Sequence, residues 1–345
     1  MHCLVKLVYR GSLVAGLFTS AAQGAPASLA QLFERGPIFQ DRNGDGVIDF
    51  VNARMVLGEN PTAAEVAAAA SIAARLAFET SALNLPLATA DSAGETAIIV
   101  GPSGLKRAGI EAPQLKPGEG IVSMTELSGK PAILVAGGDD AGILAAAELL
   151  AGRLPYAWDP KGPTLEKVAE ELRSVLAGAG VRASAISVPG VYAAAGVEAI
   201  ERIELSAEVA SPADVGRAAN VLRALLRAPQ ASGERSLSYG GALGVRVRLA
   251  ASGATPVQVE LPRAKAPAGG PLGSRPGAAA KADIDLSNLY TNEGLLGDSD
   301  GNLIPDRVDA LLSPSGEGTV GTVDLAARIG LESAGITLPA ARPAA

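Results

Sequence analysis

Apolar and polar positions change period several times along the chain, and each change marks an element. Val51, Ala53, Met55 and Leu57 alternate with Asn52, Arg54 and Val56, a period of two that predicts a strand. The stretch Asn60-Pro61-Thr62-Ala63-Ala64-Glu65 puts Thr and Glu at capping-box spacing just after a proline, so a helix is predicted from there to about Phe78. Leu83–Leu87 reads as a short strand ending at Pro86, and Ala97–Val100 as a strand that runs into a turn, Gly101-Pro102-Ser103-Gly104. Gly120–Met124 and Pro131–Ala136 form a hairpin around Leu127-Ser128-Gly129-Lys130. Asp139 or Asp140 caps a helix over Ala141–Leu154, and a further helix covers Thr164–Ala179.

A second unit has the same grammar. Ile203, Leu205, Ala207 and Val209 alternate with Glu204, Ser206 and Glu208; a helix runs from about Pro212 to Ala228. Val245, Val247 and Leu249 alternate with Arg246 and Arg248, then Val257, Val259 and Leu261 with Gln258 and Glu260. One face is apolar and one wet, as in an antiparallel sheet. Glu and Arg on the wet face are placed to pair across strands, each pair contributing a few tenths of a kcal/mol. Residues 264–282, rich in Gly, Pro and Ala, read as a linker.

After that linker the pattern starts again. LYTNEGLLGDSDGNLIPDRVDALL aligns with LFERGPIFQDRNGDGVIDFVNARMV, and LAARIGLESAGITLP with IAARLAFETSALNLP. Asp41 falls on Asp298, Asn43 on Asp300, Asp45 on Asn302 and Asp49 on Asp306; further on, Arg75 falls on Arg328, Glu79 on Glu332 and Pro86 on Pro339. The spacing is far longer than a solenoid period, so it implies two copies of one domain. The second copy lacks equivalents of 97–154, which predicts either a fragment of a longer protein or a frayed half-domain, since half a domain does not close its own core.

The predicted fold is therefore α+β: mixed or antiparallel sheets with helices on one face, preceded by an acidic loop, with a partial second copy at the C-terminus. The segments are 1–24, 37–180, 181–263, the linker 264–282, and 283–345. Residues 1–24 read as a secretory signal: Lys6 and Arg10 precede a short apolar run over 11–22, followed by Ala22-Gln23-Gly24 or Ala25-Pro26-Ala27 as a cleavage site. The run is shorter than the roughly 20 residues that span a bilayer, and no later stretch is long enough to span.

Composition narrows the chemistry. Of the 345 residues 48% are hydrophobic but only 3% aromatic, which disfavours an aromatic platform for bases or sugars. The net charge is −7 and basic residues form no block, so nucleic acid is not an expected partner. The single Cys (Cys3) and single His (His2) both lie in the signal. Its removal, with Lys6 and Arg10, takes the charge from −7 to −9 and leaves no thiol chemistry, histidine base or Cys/His zinc site.

The acidic loops carry the remaining chemistry. Calcium (Ca2+) takes six to eight oxygens, and carboxylates two residues apart in a tight turn converge on one ion. In the first loop Asp41, Asn43, Asp45, the Val47 carbonyl, Asp49 and Asn52 are the candidate ligands, with Gly46 at the sharp turn. In the second they are Asp298, Asp300, Asn302, the Ile304 carbonyl, Asp306 and Asp309, with Leu303 where Gly46 stands in the first. The D-x-[DN]-x-[DN]-x-x-x-D-x-x-[DN] spacing resembles the thrombospondin type 3 and dockerin class of calcium loops more closely than an EF-hand. The alternative is a pair of ion-free Asx turns.

A second resemblance covers about Val51–Leu154. VLGENPTAAEVAAAASIAARL, LNLPLA, AIIVGPSG and KPAILVAGGDDAGILAAAELLAGRL are similar in pattern to the N-terminal α+β domain that precedes the catalytic barrel of β-hexosaminidases and α-glucuronidases. That domain is non-catalytic, so the resemblance implies no catalytic residue here. Gly101–Gly104 lacks the spacing of a phosphate loop. Asp139, Asp140 and Asp159 have no fixed separation as a glycosidase pair. Tyr156 and Trp158 either stack on a sugar or close a helix end against the core.

Three function classes follow as expectations. The first is a secreted or cell-surface, calcium-binding, non-catalytic module accessory to carbohydrate processing, with polysaccharide or cell-surface proteins as partners. The second is the front of a longer exported hydrolase, and the third a structural cell-surface spacer.

Overall fold

The computed structural model describes residues 28–82, 84–85, 88, 96–152, 164–196, 200–227, 244–261, 285–314 and 319–344. The signal, the linker and the Tyr156–Trp158 pair lie outside the described residues.

The chain enters through a short 3-10 turn, Leu29–Gln31, whose Ser28 hydroxyl accepts from Ala30 N–H and, at 2.9 Å, from Val188 N–H. The first loop is bracketed by a two-residue ladder of β1 (Phe39–Gln40) and β2 (Phe50–Val51). There follow β3 (Ala53–Val56), α1 (Ala63–Phe78), β4 (Thr96–Val100), α2 (Gly101–Ala108), β5 (Glu119–Leu127), β6 (Lys130–Gly137), α3 (Asp140–Ala151) and α4 (Leu165–Gly178). Next come β7 (Ala183–Ala194), β8 (Arg202–Val209), α5 (Pro212–Arg227), β9 (Gly244–Ala250) and β10 (Val257–Leu261). The C-terminal segment contributes β11 (Leu296–Gly297), β12 (Arg307–Val308) and α6 (Thr319–Glu332).

The class is α+β, with several corrections of detail. One eight-stranded sheet, in the order β10-β9-β8-β7-β5-β6-β4-β3, joins the two units that the pattern keeps apart. The joint is β7, a strand the pattern hides: Pro189 and Gly190 interrupt its alternation, and the pairing with β8 slips there, between Ser187 and Gly190. The sheet is mixed. β3, β4 and β6 pair in parallel, and so do β8 and β9, the strands flanking α5. In the second unit β7–β8 and β9–β10 are antiparallel as expected, and only the β8–β9 pairing departs from the antiparallel reading. Gly101–Gly104 is not a turn but the first half of α2, started by Gly101 at φ 68° and Pro102 in the first turn. Asn84 and Leu85 are not in a strand; the Asn84 side chain instead exchanges two hydrogen bonds with the Val51 backbone.

Burial follows the strand alternation. Ile98 and Val100 join Val122, Ile133 and Val135 in the main core, shared by α1, α3, α4, α5 and α6. Ala97 and Ile99 face the other way, with Ile121, Leu134 and Tyr192, under Leu105 of α2. Helices therefore cover both faces of this half of the sheet. Toward β10 the second face is polar: Glu204, Arg246 and Glu260 form one cross-strand row, with Arg246 bonded to both acids at 3.0 and 2.7 Å.

Helix α1 is held at its start by the capping box of Thr62 and Glu65. Glu65 is 1% exposed because its carboxylate also accepts from Ser103 N–H at the start of α2. Thirteen of the 16 residues of α1 are buried, mostly alanines, because the helix is flanked by α3 and α6. The C-terminal segment thus docks on the rest of the fold through α6, which covers α1. No helix among the described residues is long and apolar enough to cross a membrane.

Candidate metal centre

Each acidic loop is a series of side-chain-to-backbone turns, and the two series match at an offset of 257 positions (Asp41 to Asp298). Asp41 accepts from Gly44 and Gly46 N–H; Asp298 accepts from Gly301 and Leu303 N–H. Asn43 accepts from Asp45 N–H, and Asp300 from Asn302 N–H. Asp45 accepts from Val47 N–H, and Asn302 from Ile304 N–H. Asp49 accepts from Arg42 N–H, and Asp306 from Ser299 N–H. The closing ladders, Phe39–Val51 and Leu296–Val308, match as well. Short polar side chains that bond their own backbone two to five residues on are what Asn and Asp do in turns, so the frame stands without an ion.

The frame also anchors each loop to its helix. Ser81 N–H donates to the Ile48 carbonyl, and Ala334 N–H to the Pro305 carbonyl. Val51 N–H bonds Asn84, and Val308 N–H bonds Thr337. These pairs differ by 257 on the loop side and 253 on the helix side, the shift of four read from the sequence.

The loops handle charge differently. In the second, one carboxylate oxygen each from Asp298, Asp300 and Asp306 lie within 4.8 Å of one another. This is the only such trio of acidic, Cys or His side chains among the described residues, and it could hold a metal ion. Ligands on opposite sides of a calcium ion with 2.3–2.6 Å bonds are about 5 Å apart, so the oxygen spacing fits. Burial opposes ionisation of Asp298, but the N–H groups of Leu303 and Gly301, a bond with Asp300 and the Asn302 N–H outweigh it and hold its carboxyl below its ordinary value.

In the first loop the acids are spread more widely, and a cation of the chain already sits at the first of them. Arg35 is hydrogen-bonded to Asp41, whose side chain is fully covered. Arg42 lies over the Phe50 ring, 3.0 Å from its centroid, and bonds Gln40.

The last predicted ligand of each loop turns away. Asn52 donates from its side chain to the Pro37 carbonyl at 3.0 Å. Asp309 is bonded to Arg307 at 2.6 and 3.3 Å and is not part of the trio. Val47 and Ile304 are exposed at the loop tips. Arg35, Arg307 and the Ser299 hydroxyl, which bonds Asp306, are the participants that loop spacing does not reveal. Arg35 precedes its loop by six positions, outside any ligand pattern.

No protein-family model, no curated protein and no solved structure matches this chain.

Proposed function

We propose that the protein is an exported, calcium-stabilised, non-catalytic module, accessory to carbohydrate processing at a cell surface. The observation that carries the calcium reading is the oxygen trio of Asp298, Asp300 and Asp306, set in a frame that recurs around Asp41. In the second loop the ion is held by these three carboxylates with the Asn302 side chain and the Ile304 carbonyl. In the first it is held by Asp41, Asn43, Asp45, Asp49 and the Val47 carbonyl. Its contribution is to offset the repulsion among carboxylates that the turns force together, and so to fix the entry into β3 and α6. The carbohydrate association rests on the resemblance of 51–154 to the accessory domain of exported glycosidases, and the partner class is polysaccharide or cell-surface protein.

Calorimetric titration of the full chain with calcium tests the metal. Two bound ions, with a melting temperature several degrees higher in calcium than in chelator, support the reading. Absence of binding heat together with an unchanged melt sinks it. A glycan panel probed in calcium tests the carbohydrate association, which fails if no glycan is retained.

A further inference from the structure

The contact between α1 and α6 is a contact between equivalents. Residues of the two helices correspond at an offset of 253, so Ser71 corresponds to Asp324 and Ala74 to Ala327. The Ser71 hydroxyl accepts from Ala340 N–H at 3.2 Å, in the segment that follows α6. Asp324 accepts from Ala88 N–H at 3.2 Å, in the segment that follows α1. Each helix therefore bonds, at the same position, a backbone N–H of the segment that trails the other. The relation is that of an isologous dimer interface, in which the same patch serves both partners.

The interface is built for close approach. Gly330 sits on the Ala74 backbone, and a Cβ there would overlap the Ala74 carbonyl oxygen. Val323, Ala326 and Ala327 of α6 are fully buried, as are Ala67, Ala70, Ala74 and Ala77 of α1. Small side chains on both sides let the helices touch backbone to backbone, and that selects a helix of matching small-residue pattern over an ordinary leucine-faced one. Ala340 and Ala341 continue the seal, with Leu312 bonded to both ends of that segment.

We propose that this face of α1 is a docking site for one kind of partner, an α6-type segment of this same repeat, held here within the chain and exchangeable with that of a second copy of the chain. The 21 residues between β10 and residue 283 are compatible with exchange, because loop-closure cost rises only slowly with length. The inference is independent of any metal.

The test uses the full chain with a specific protease site replacing 270–276, cleaved after folding, in isotopically heavy and light preparations. Native mass spectrometry is expected to find the two fragments still paired after cleavage, and heavy–light hybrids after the preparations are mixed. Fragments that part on cleavage would overturn the docking site; pairs that hold without forming hybrids would overturn exchange. Gly330→Leu should weaken fragment pairing at least tenfold. Should that variant misfold, Asp324→Ala is the milder one and should weaken pairing severalfold. Pairing as tight as in the parent would show that the α1–α6 face does not hold the segment.

Discussion

The two acidic loops share a hydrogen-bond frame and differ in almost everything that frame leaves free. Around Asp41 the turn glycine, Gly46, has φ 94°, and Arg35 neutralises the first carboxylate. Around Asp298 the same place is taken by Leu303 at φ 71°, 83% exposed, and three carboxylates meet without an arginine among them. Arg307 bonds Asp309, outside the trio, and reaches Asp306 and Asp298 only through the weaker pull of its charge. Asx turns set the path of the backbone, whereas residues before or after the loop decide whether its charge is balanced by the chain or left for a cation.

The largest effect that would sharpen this contrast is expected from replacing Asp298, Asp300 and Asp306 together by Asn. Each Asn keeps one of the two acceptor oxygens that Asp298 and Asp306 use in the frame, and calorimetry should count one ion fewer. The calcium-dependent part of the stability at the second loop, about 3 kcal/mol at a hundredfold excess over Kd, should vanish from denaturation curves. An unchanged ion count would remove the trio as a site.

Leu303→Gly should come next. A left-handed backbone costs a bulky residue about 1–2 kcal/mol, partly offset by the larger unfolded-state freedom of glycine, so urea titration should show a gain of about 0.5–1 kcal/mol. A loss would mean that the exposed leucine makes a stabilising contact.

A smaller shift is expected from Arg35→Ala. Freeing Asp41 from an ion pair of the kind contributing about 0.2–1 kcal/mol should tighten calcium binding at the first loop by roughly twofold to fivefold. Weaker binding would show that Arg35 orders the loop rather than competes with the ion.

The smallest effect concerns acid. The Asp298 carboxyl is held below its ordinary 3.8, so its contribution to stability is complete above that value and lost as pH falls through the lower, folded-state value. Melts of the Arg35→Ala variant, followed from about pH 6 to pH 3, should therefore show no loss from Asp298 until below about pH 4. A loss already at pH 5 would mean that the Leu303 and Gly301 N–H bonds do not persist in solution.

Much of this was legible from residue order. The loop frame, α1 with its capping box, the β5–β6 hairpin and the shift of four between copies all follow from local patterns, because turns, caps and alternation are decided within a few residues. β7 escaped because Pro189 and Gly190 break its period, and α2 because Gly-Pro-Ser-Gly has the composition of a turn. Arg35 and Arg307 escaped because nothing in a ligand pattern says which cation lies near. The docking of α6 on α1 escaped for a different reason: likeness between two segments states that they have one fold, not that they touch.

That contact binds the histories of the two copies together. A duplicated segment is ordinarily free to drift once its twin keeps the original role. Here Gly330 has the Ala74 backbone as its wall, so a methyl group gained in one copy must be matched by room made in the other. The acidic loops, at the exposed ends, are under no such bond, and they differ at the turn residue, Gly46 against Leu303. The helices that face each other remain a matched pair of small-residue surfaces, and change in them has to come in compensating steps.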